Sequence, residues 1–193
     1  MHVDRQGRKG YGATAVPIAF IVEQKPHKNL ARTELLRRVR AMIQLLQLDK
    51  AEVSIVLTDD RHIHQLNKIY RHKDRPTDVL AFAMHEGEFG ALAGHVLGDV
   101  IVSVETARKQ AQARRRPVLD EVTMLLAHGL LHLLGWDHRT DAEDRRMRAE
   151  TSRLCAAAAK PSSRRAVSKG AAKRPLSRKP AASRPTSRRK KPQ

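Results

Sequence analysis

The chain is 193 residues long, with 40% hydrophobic and 30% charged residues, which leaves room for one domain of ordinary size and an appendage, with enough apolar material for a core. The formal net charge of +18 is unevenly placed: residues 160–193 hold 13 Lys and Arg and no Asp or Glu, leaving 25 basic against 20 acidic residues in 1–159. The lone Cys155 excludes an intramolecular disulfide and any thiolate-only zinc site, so a reducing cytoplasm is expected; the longest early apolar run, Val16 to Val22, is too short for a membrane span, is interrupted by Pro17 and has no cleavage site after it.

In chain order, residues 1–14 are polar, with Gly7, Gly10 and Gly12, and predict a flexible leader. Val16 to Glu23 fits a buried strand and Val53 to Thr58 a second. Between them Leu35, Leu36, Val39, Met42, Ile43 and Leu46 repeat at the helical period, with Thr33 placed to cap that helix. Ile63, Leu66 and Tyr70 predict a helix over His62 to Tyr70, and Arg71 to Thr77, containing Pro76, a polar turn. Asp78 to Ala83 and Leu97 to Val104 read as strands joined by a Gly-containing, hairpin-like connection from His85 to Gly94. A short polar helix over Glu105 to Arg115 precedes an apolar one, opened by Pro117 at a first helical position and running to Leu134, where Gly135 stops it. Thr140 is placed to cap a last, charged helix extending to around Ala158. The order β-α-β-α-β-β-α-α-α predicts an α+β domain over 15–159, a mixed β-sheet packed with helices.

Residues 160–193 follow a different rule. Each of their prolines (Pro161, Pro175, Pro180, Pro185 and Pro192) directly follows Lys or Arg. Residues before proline are driven out of the helical region, so a disordered, extended basic tail is expected, suited to following phosphates without reading sequence.

The chemistry lies in His128-Gly129-Leu130-Leu131-His132-Leu133-Leu134-Gly135-Trp136-Asp137-His138. Residues four apart share a helix face, so His128 and His132 point the same way one turn apart, and Gly135 lets the chain reverse so that His138 supplies a third nitrogen. Three nitrogens around one zinc leave an open tetrahedral position, the mark of a catalytic site. Either helical histidine alone would be better read as an ordinary core residue; burying three unpaired imidazoles together without a cation would be costly. The spacing matches the metzincin helix His-Glu-x-x-His-x-x-Gly-x-x-His, whose Glu is the general base of peptide hydrolysis, but Gly129 stands at that position. A zinc metallopeptidase therefore lacks its base, and a non-catalytic RNA-binding ribosome assembly factor with structural zinc lacks a fourth protein ligand.

This motif resembles the His-Gly-x-Leu-His-Leu-x-Gly-x-Asp-His of the YbeY endoribonucleases. Two further blocks agree with that family: Leu66 to Arg71 with Asp74 to Phe82, and Leu97 to Ser103. The family more often has Ser and Pro where this chain has Ala81 and Ala83. The resemblance implies a zincin-like metal-binding helix and one Zn²⁺ held by His128, His132 and His138. It also implies a single-strand-specific, zinc-dependent endoribonuclease acting in ribosome quality control and in maturation of the 3′ end of 16S rRNA. The implied partners are single-stranded RNA, the small ribosomal subunit and its proteins, with no membrane. Arg71 corresponds to a functionally important arginine of the family, and its guanidinium fork suits charge that builds on a phosphate. The expected catalytic set is thus Arg71, His128, His132 and His138; the attacking group, a water or the RNA 2′-hydroxyl, stays open.

Around this set, Asp137 can orient an imidazole or cap a turn, and Asn67 and Asp99 can shape the cleft or serve as ordinary polar residues. His62, His64, His72, His85 and His95 lack ligand spacing and read as surface or structural. Trp136 is the single candidate for stacking on a base.

Overall fold

The computed structural model describes Ile18–Val22 and residues 30–84 and 94–161. The expected leader, most of the His85 to Gly94 connection and the tail beyond 161 lie outside the described residues. The elements are β1 (Ile18–Val22), α1 (Arg32–Leu45), β2 (Glu52–Thr58), α2 (Asp60–Arg71), β3 (Val79–Ala83), β4 (Val96–Ser103), α3 (Val104–Ala113), α4 (Val118–Leu133) and α5 (Asp141–Ala159). They fall in the predicted order and form an α+β fold.

The sheet order is β1-β2-β4-β3. β1 and β4 both run parallel to β2, with Ile55 beside Phe20 and Val100, while β3 is an antiparallel edge strand with Ala81 opposite Val100. Strand alternation separates two apolar faces. Val53, Ile55, Leu57, Val100 and Val102 belong to the main core with residues of α1, α4 and α5. Val56, Leu80 and Ile101 face the other way and pack with Ile63 of α2. Each fully buried Leu or Ile contributes about 1.5–3 kcal/mol relative to exposure, so this sandwiching of the sheet is the main source of its rigidity.

Several ends differ from the sequence expectation. α1 opens earlier than Thr33, at Ala31, whose carbonyl accepts from both Glu34 and Leu35 at 3.0 Å. Leu30 packs on the same core as Leu35, and that anchoring sets the chain's entry instead of a hydroxyl cap. Pro117 is the N-cap of α4, with its carbonyl accepting from Asp120 and Glu121. Ser103 ends β4 and caps α3 with no loop between, and Thr140 caps α5 in a reciprocal capping box with Glu143.

Three polar junctions hold the helices around the site. Asp60, at the start of α2, accepts from Ser103, from Thr106 at 2.6 Å and from Lys109 at 2.7 Å; burial opposes its ionisation, but these bonds bring its pKa down to about 2. Glu121 is fully buried and paired with Arg114 and Arg116, closing the α3–α4 connection. Arg37 donates to Glu34, holding its carboxyl near 2, and to the carbonyls of Ala158 and Lys160 at 2.7 and 2.6 Å. It thereby fastens the C-terminal end of α5 to α1.

Candidate metal centre

α4 lies across the sheet with Gly129 against it. A Cβ built at Gly129 would stand 2.5 Å from Cγ1 of Val100 and 3.4 Å from Cγ2 of Val79. No side chain fits between this helix and the strands beneath it. The helix that carries His128 and His132 is thereby seated close on β3 and β4, and the glutamate of the metzincin spacing is excluded by volume as well as by sequence.

The helix then ends in a Schellman turn. Gly135, with φ of +79°, donates to the His132 carbonyl at 2.9 Å, and Trp136 to the Leu131 carbonyl at 3.0 Å. Asp137 accepts from the His138 backbone N–H at 2.8 Å and pairs with Arg139 at 2.5 Å. It therefore caps the turn that delivers His138, the second of its two expected roles.

The structure brings the three predicted histidines together. Their ring centroids lie 4.7, 5.2 and 5.5 Å apart, and their ligand-capable nitrogens all fall within 4.8 Å of one another. Nε2 of His128 and Nε2 of His132 are 3.1 Å apart. Lone pairs at that range need a proton or a cation between them, and two nitrogens on one tetrahedral zinc, each about 2.0–2.1 Å from it, stand about 3.3 Å apart. Burial, and then the proximity of His132 and His138, lower the pKa of His128 to about 4; burial and His138 also lower that of His132, against a hydrogen bond to the Trp136 backbone. Neutral rings with available lone pairs are what a divalent ion requires. The donor set and its spacing fit one such ion.

Beside the rings lies a cleft of about 520 Å³ lined by His132 and His138, by the edge strand, and by Asn67, Arg71, Lys73, Arg75, Trp136 and Arg139. Arg71, the last residue of α2, donates through Nη2 to the Ala81 carbonyl at 2.9 Å and lies 5.8 Å from the Phe82 ring centroid. Its charge is close enough to contribute to the lowered pKa of His132. Asn67 is buried, donates to the Arg75 carbonyl at 2.8 Å and accepts from the Lys73 N–H, so it shapes the loop that forms the cleft wall. Asp99 is not among the cleft-lining residues. Lys73, Arg75 and Arg139 were not singled out in the sequence; Arg75 lies inside the Asp74 to Phe82 block and the other two beside the motifs, and only the fold brings them around one hollow. Of the remaining histidines, His64 pairs with Asp74 at 2.7 Å, His72 caps α2 in the left-handed region, His62 lies in the first turn of α2, and His95 borders a separate hollow. His85 lies outside the described residues.

Residues 20–159 match the family described as Endoribonuclease YbeY. The chain belongs to the YbeY endoribonuclease family. A YbeY endoribonuclease of Syntrophus aciditrophicus is 35% identical over 134 residues, spanning 69% of this chain and 83% of the relative. Another, of Geobacter metallireducens, is 43% identical over 127 residues, spanning 64% and 85%. A solution structure from Thermotoga maritima, 24% identical, superposes with a TM-score of 0.53 over 73% of this chain and 88% of that one, and agrees with this chain in fold.

Proposed function

We propose that the chain is a zinc-dependent endoribonuclease that cleaves single-stranded RNA in the cytoplasm, acting in maturation of the 3′ end of 16S rRNA and in quality control of the small ribosomal subunit. The catalytic domain is 15–159, with one zinc on His128, His132 and His138 and with Arg71 as the transition-state partner. The observation that carries this reading is the convergence of three imidazoles, two of which, His132 and His138, line one cleft with Arg71, Lys73, Arg75 and Arg139. Membership of the YbeY family supports RNA as the substrate. Among the described residues no helix is long and apolar enough to cross a membrane.

When bound, a zinc ion supplies Lewis-acid chemistry at a phosphate. The chain's own residues do the rest. His128 and His132 are held one turn apart on a helix pressed to the sheet, so their donor geometry is set before any ligand arrives. The bond from Arg71 to the Ala81 carbonyl uses one Nη2–H and tethers the guanidinium beside the edge strand, leaving other donors for phosphate oxygens. Lys73, Arg75 and Arg139 offset the charge of flanking phosphates. No carboxylate stands on α4 where a peptidase would carry its base, which disfavours peptide hydrolysis.

Arg71→Ala tests the assignment. Loss of a preorganised donor to a developing oxyanion typically costs on the order of 100-fold in kcat. That loss is expected here with zinc content unchanged, and Arg71→Lys should recover only part of it. Cleavage of a labelled single-stranded RNA at the wild-type rate with equal affinity would remove Arg71 from the mechanism. Cleavage of unstructured protein instead of RNA would replace the function altogether.

We also propose that the basic segment beyond the domain supplies affinity and not chemistry. A chain ending at Pro161 keeps the Lys160 carbonyl that Arg37 binds and removes 12 Lys and Arg. It should fold and bind zinc normally, yet bind single-stranded RNA more weakly and with a shallower salt dependence, each lost phosphate contact reducing the slope by about 0.7. Equal salt slopes for the two lengths in a titration series would dismiss the arm.

A further inference from the structure

The turn between α4 and α5 borders two hollows. Beyond the histidine cleft lies a second, of about 330 Å³, lined by Leu134, Gly135, Trp136, Asp137, Glu143 and Arg146. Gly135, Trp136 and Asp137 line both and so form a ridge between them. Trp136 is the only tryptophan of the chain, is 37% exposed, and among the described residues is the only Trp, Tyr or Phe that lines the cleft. Tyr70 is more exposed, but its ring is engaged edge-on with Phe82 at 5.2 Å and lines neither hollow.

The backbone of the ridge is tied down. The Trp136 backbone N–H is bonded into the end of α4, and the residue stands two positions before His138, so the indole springs from a fixed point of the turn that carries the third ring. The acidic groups of the second hollow are committed: Asp137 to Arg139 and the His138 N–H, Glu143 to the Thr140 N–H at 2.9 Å. Arg146 is exposed and, among the described residues, has no recorded ion pair or hydrogen bond. An aromatic plane followed by an uncommitted guanidinium matches the alternation of base and phosphate along a single strand.

We propose that single-stranded RNA leaving the histidine cleft crosses this ridge, with a base next to the cleaved linkage stacked on the Trp136 indole and the following phosphate met by Arg146. The inference rests on the endoribonuclease reading and adds a binding subsite to it. It makes Trp136 a substrate-binding residue and predicts recognition that tolerates every base but requires that one be present.

The full-length zinc-loaded protein provides its own probe, since all tryptophan emission comes from Trp136. Rapid mixing with an unstructured RNA of about ten nucleotides should quench that emission before cleavage, and an RNA with an abasic nucleotide beside the cleaved linkage should quench it much less. Trp136→Ala should raise KM by roughly 5- to 100-fold with kcat within about two-fold of wild type, and Trp136→Phe should restore most of the loss. Arg146→Ala should raise KM several-fold and flatten its salt dependence by about one phosphate contact. Wild-type cleavage without quenching, or with KM unchanged in Trp136→Ala, overturns the subsite. A normal Trp136 effect with Arg146→Ala silent overturns the path into the second hollow. If the wild-type protein neither binds nor cuts RNA, the parent reading fails first and takes the subsite with it.

Discussion

Replacing His138 by alanine is expected to lower cleavage of single-stranded RNA by more than about 100-fold and to leave the protein with less than stoichiometric zinc. Removing an outer hydrogen-bond partner of a metal-binding imidazole already costs about 10–100-fold, and removing a ligand costs more. His138 gives the cleanest test of the three because it is exposed and sits on a turn, outside both apolar cores. Among the described residues its ring meets only the other two imidazoles and belongs to neither apolar core, so the thermal melt of chelator-treated protein should stay close to that of chelator-treated wild type. His128 and His132 are half-buried against the helix and the cleft, and alanine there removes packing together with the ligand. Metal analysis, RNA cleavage and the melt, measured on the same preparation, separate the two effects. A His138→Ala protein that retains full zinc and full activity would show that the three rings do not act on one ion.

The second large effect concerns stability. Gly129→Glu, which restores the metzincin pattern, is expected to destabilise the fold by more than ~4 kcal/mol, because it forces a side chain into a closed contact and buries a carboxylate without a partner. Gly129→Ala isolates the steric part. Overpacking against Val100 costs about 1–3 kcal/mol, and the better helix propensity of alanine returns about 1. A net loss of up to about 2 kcal/mol should therefore appear as a lower urea midpoint, and Val100→Ala in the same chain should relieve part of it. An alanine variant about 1 kcal/mol more stable than the parent, the full propensity gain, would mean that α4 can lift from the sheet and is not closely seated on it.

Much of the architecture was legible because it depends on local patterns. The helical period of Leu35 to Leu46, the apolar run through α4 and the glycine that stops it each act within one element. So does the His128, His132 and His138 spacing, which a helix followed by a left-handed glycine converts directly into proximity. What the sequence did not disclose depends on pairs far apart in the chain. Arg37 reaching Ala158 and Lys160, Asp60 gathering Ser103, Thr106 and Lys109, and Val100 filling the space beside Gly129 carry no periodic signal. The Thr33 cap failed for a related reason, since the burial of Leu30 outweighed a hydroxyl. Gly129 could be read as the absence of a base, but its positive role, allowing the helix to touch the sheet, appears only when the two are seen together.

The bond between Arg71 and Ala81 also bears on which polymers can lie in the cleft. β3 is an outer strand, and its bonds to β4 run through Asp78 and Met84, so by alternation the Ala81 carbonyl points away from the sheet. A polypeptide in extended form would bind here by continuing the sheet, and it would need that carbonyl as an acceptor. The guanidinium already occupies it. The same side chain that offers donors to a phosphodiester thus competes with a protein segment for that rung, which disfavours an added strand at this edge relative to a phosphodiester.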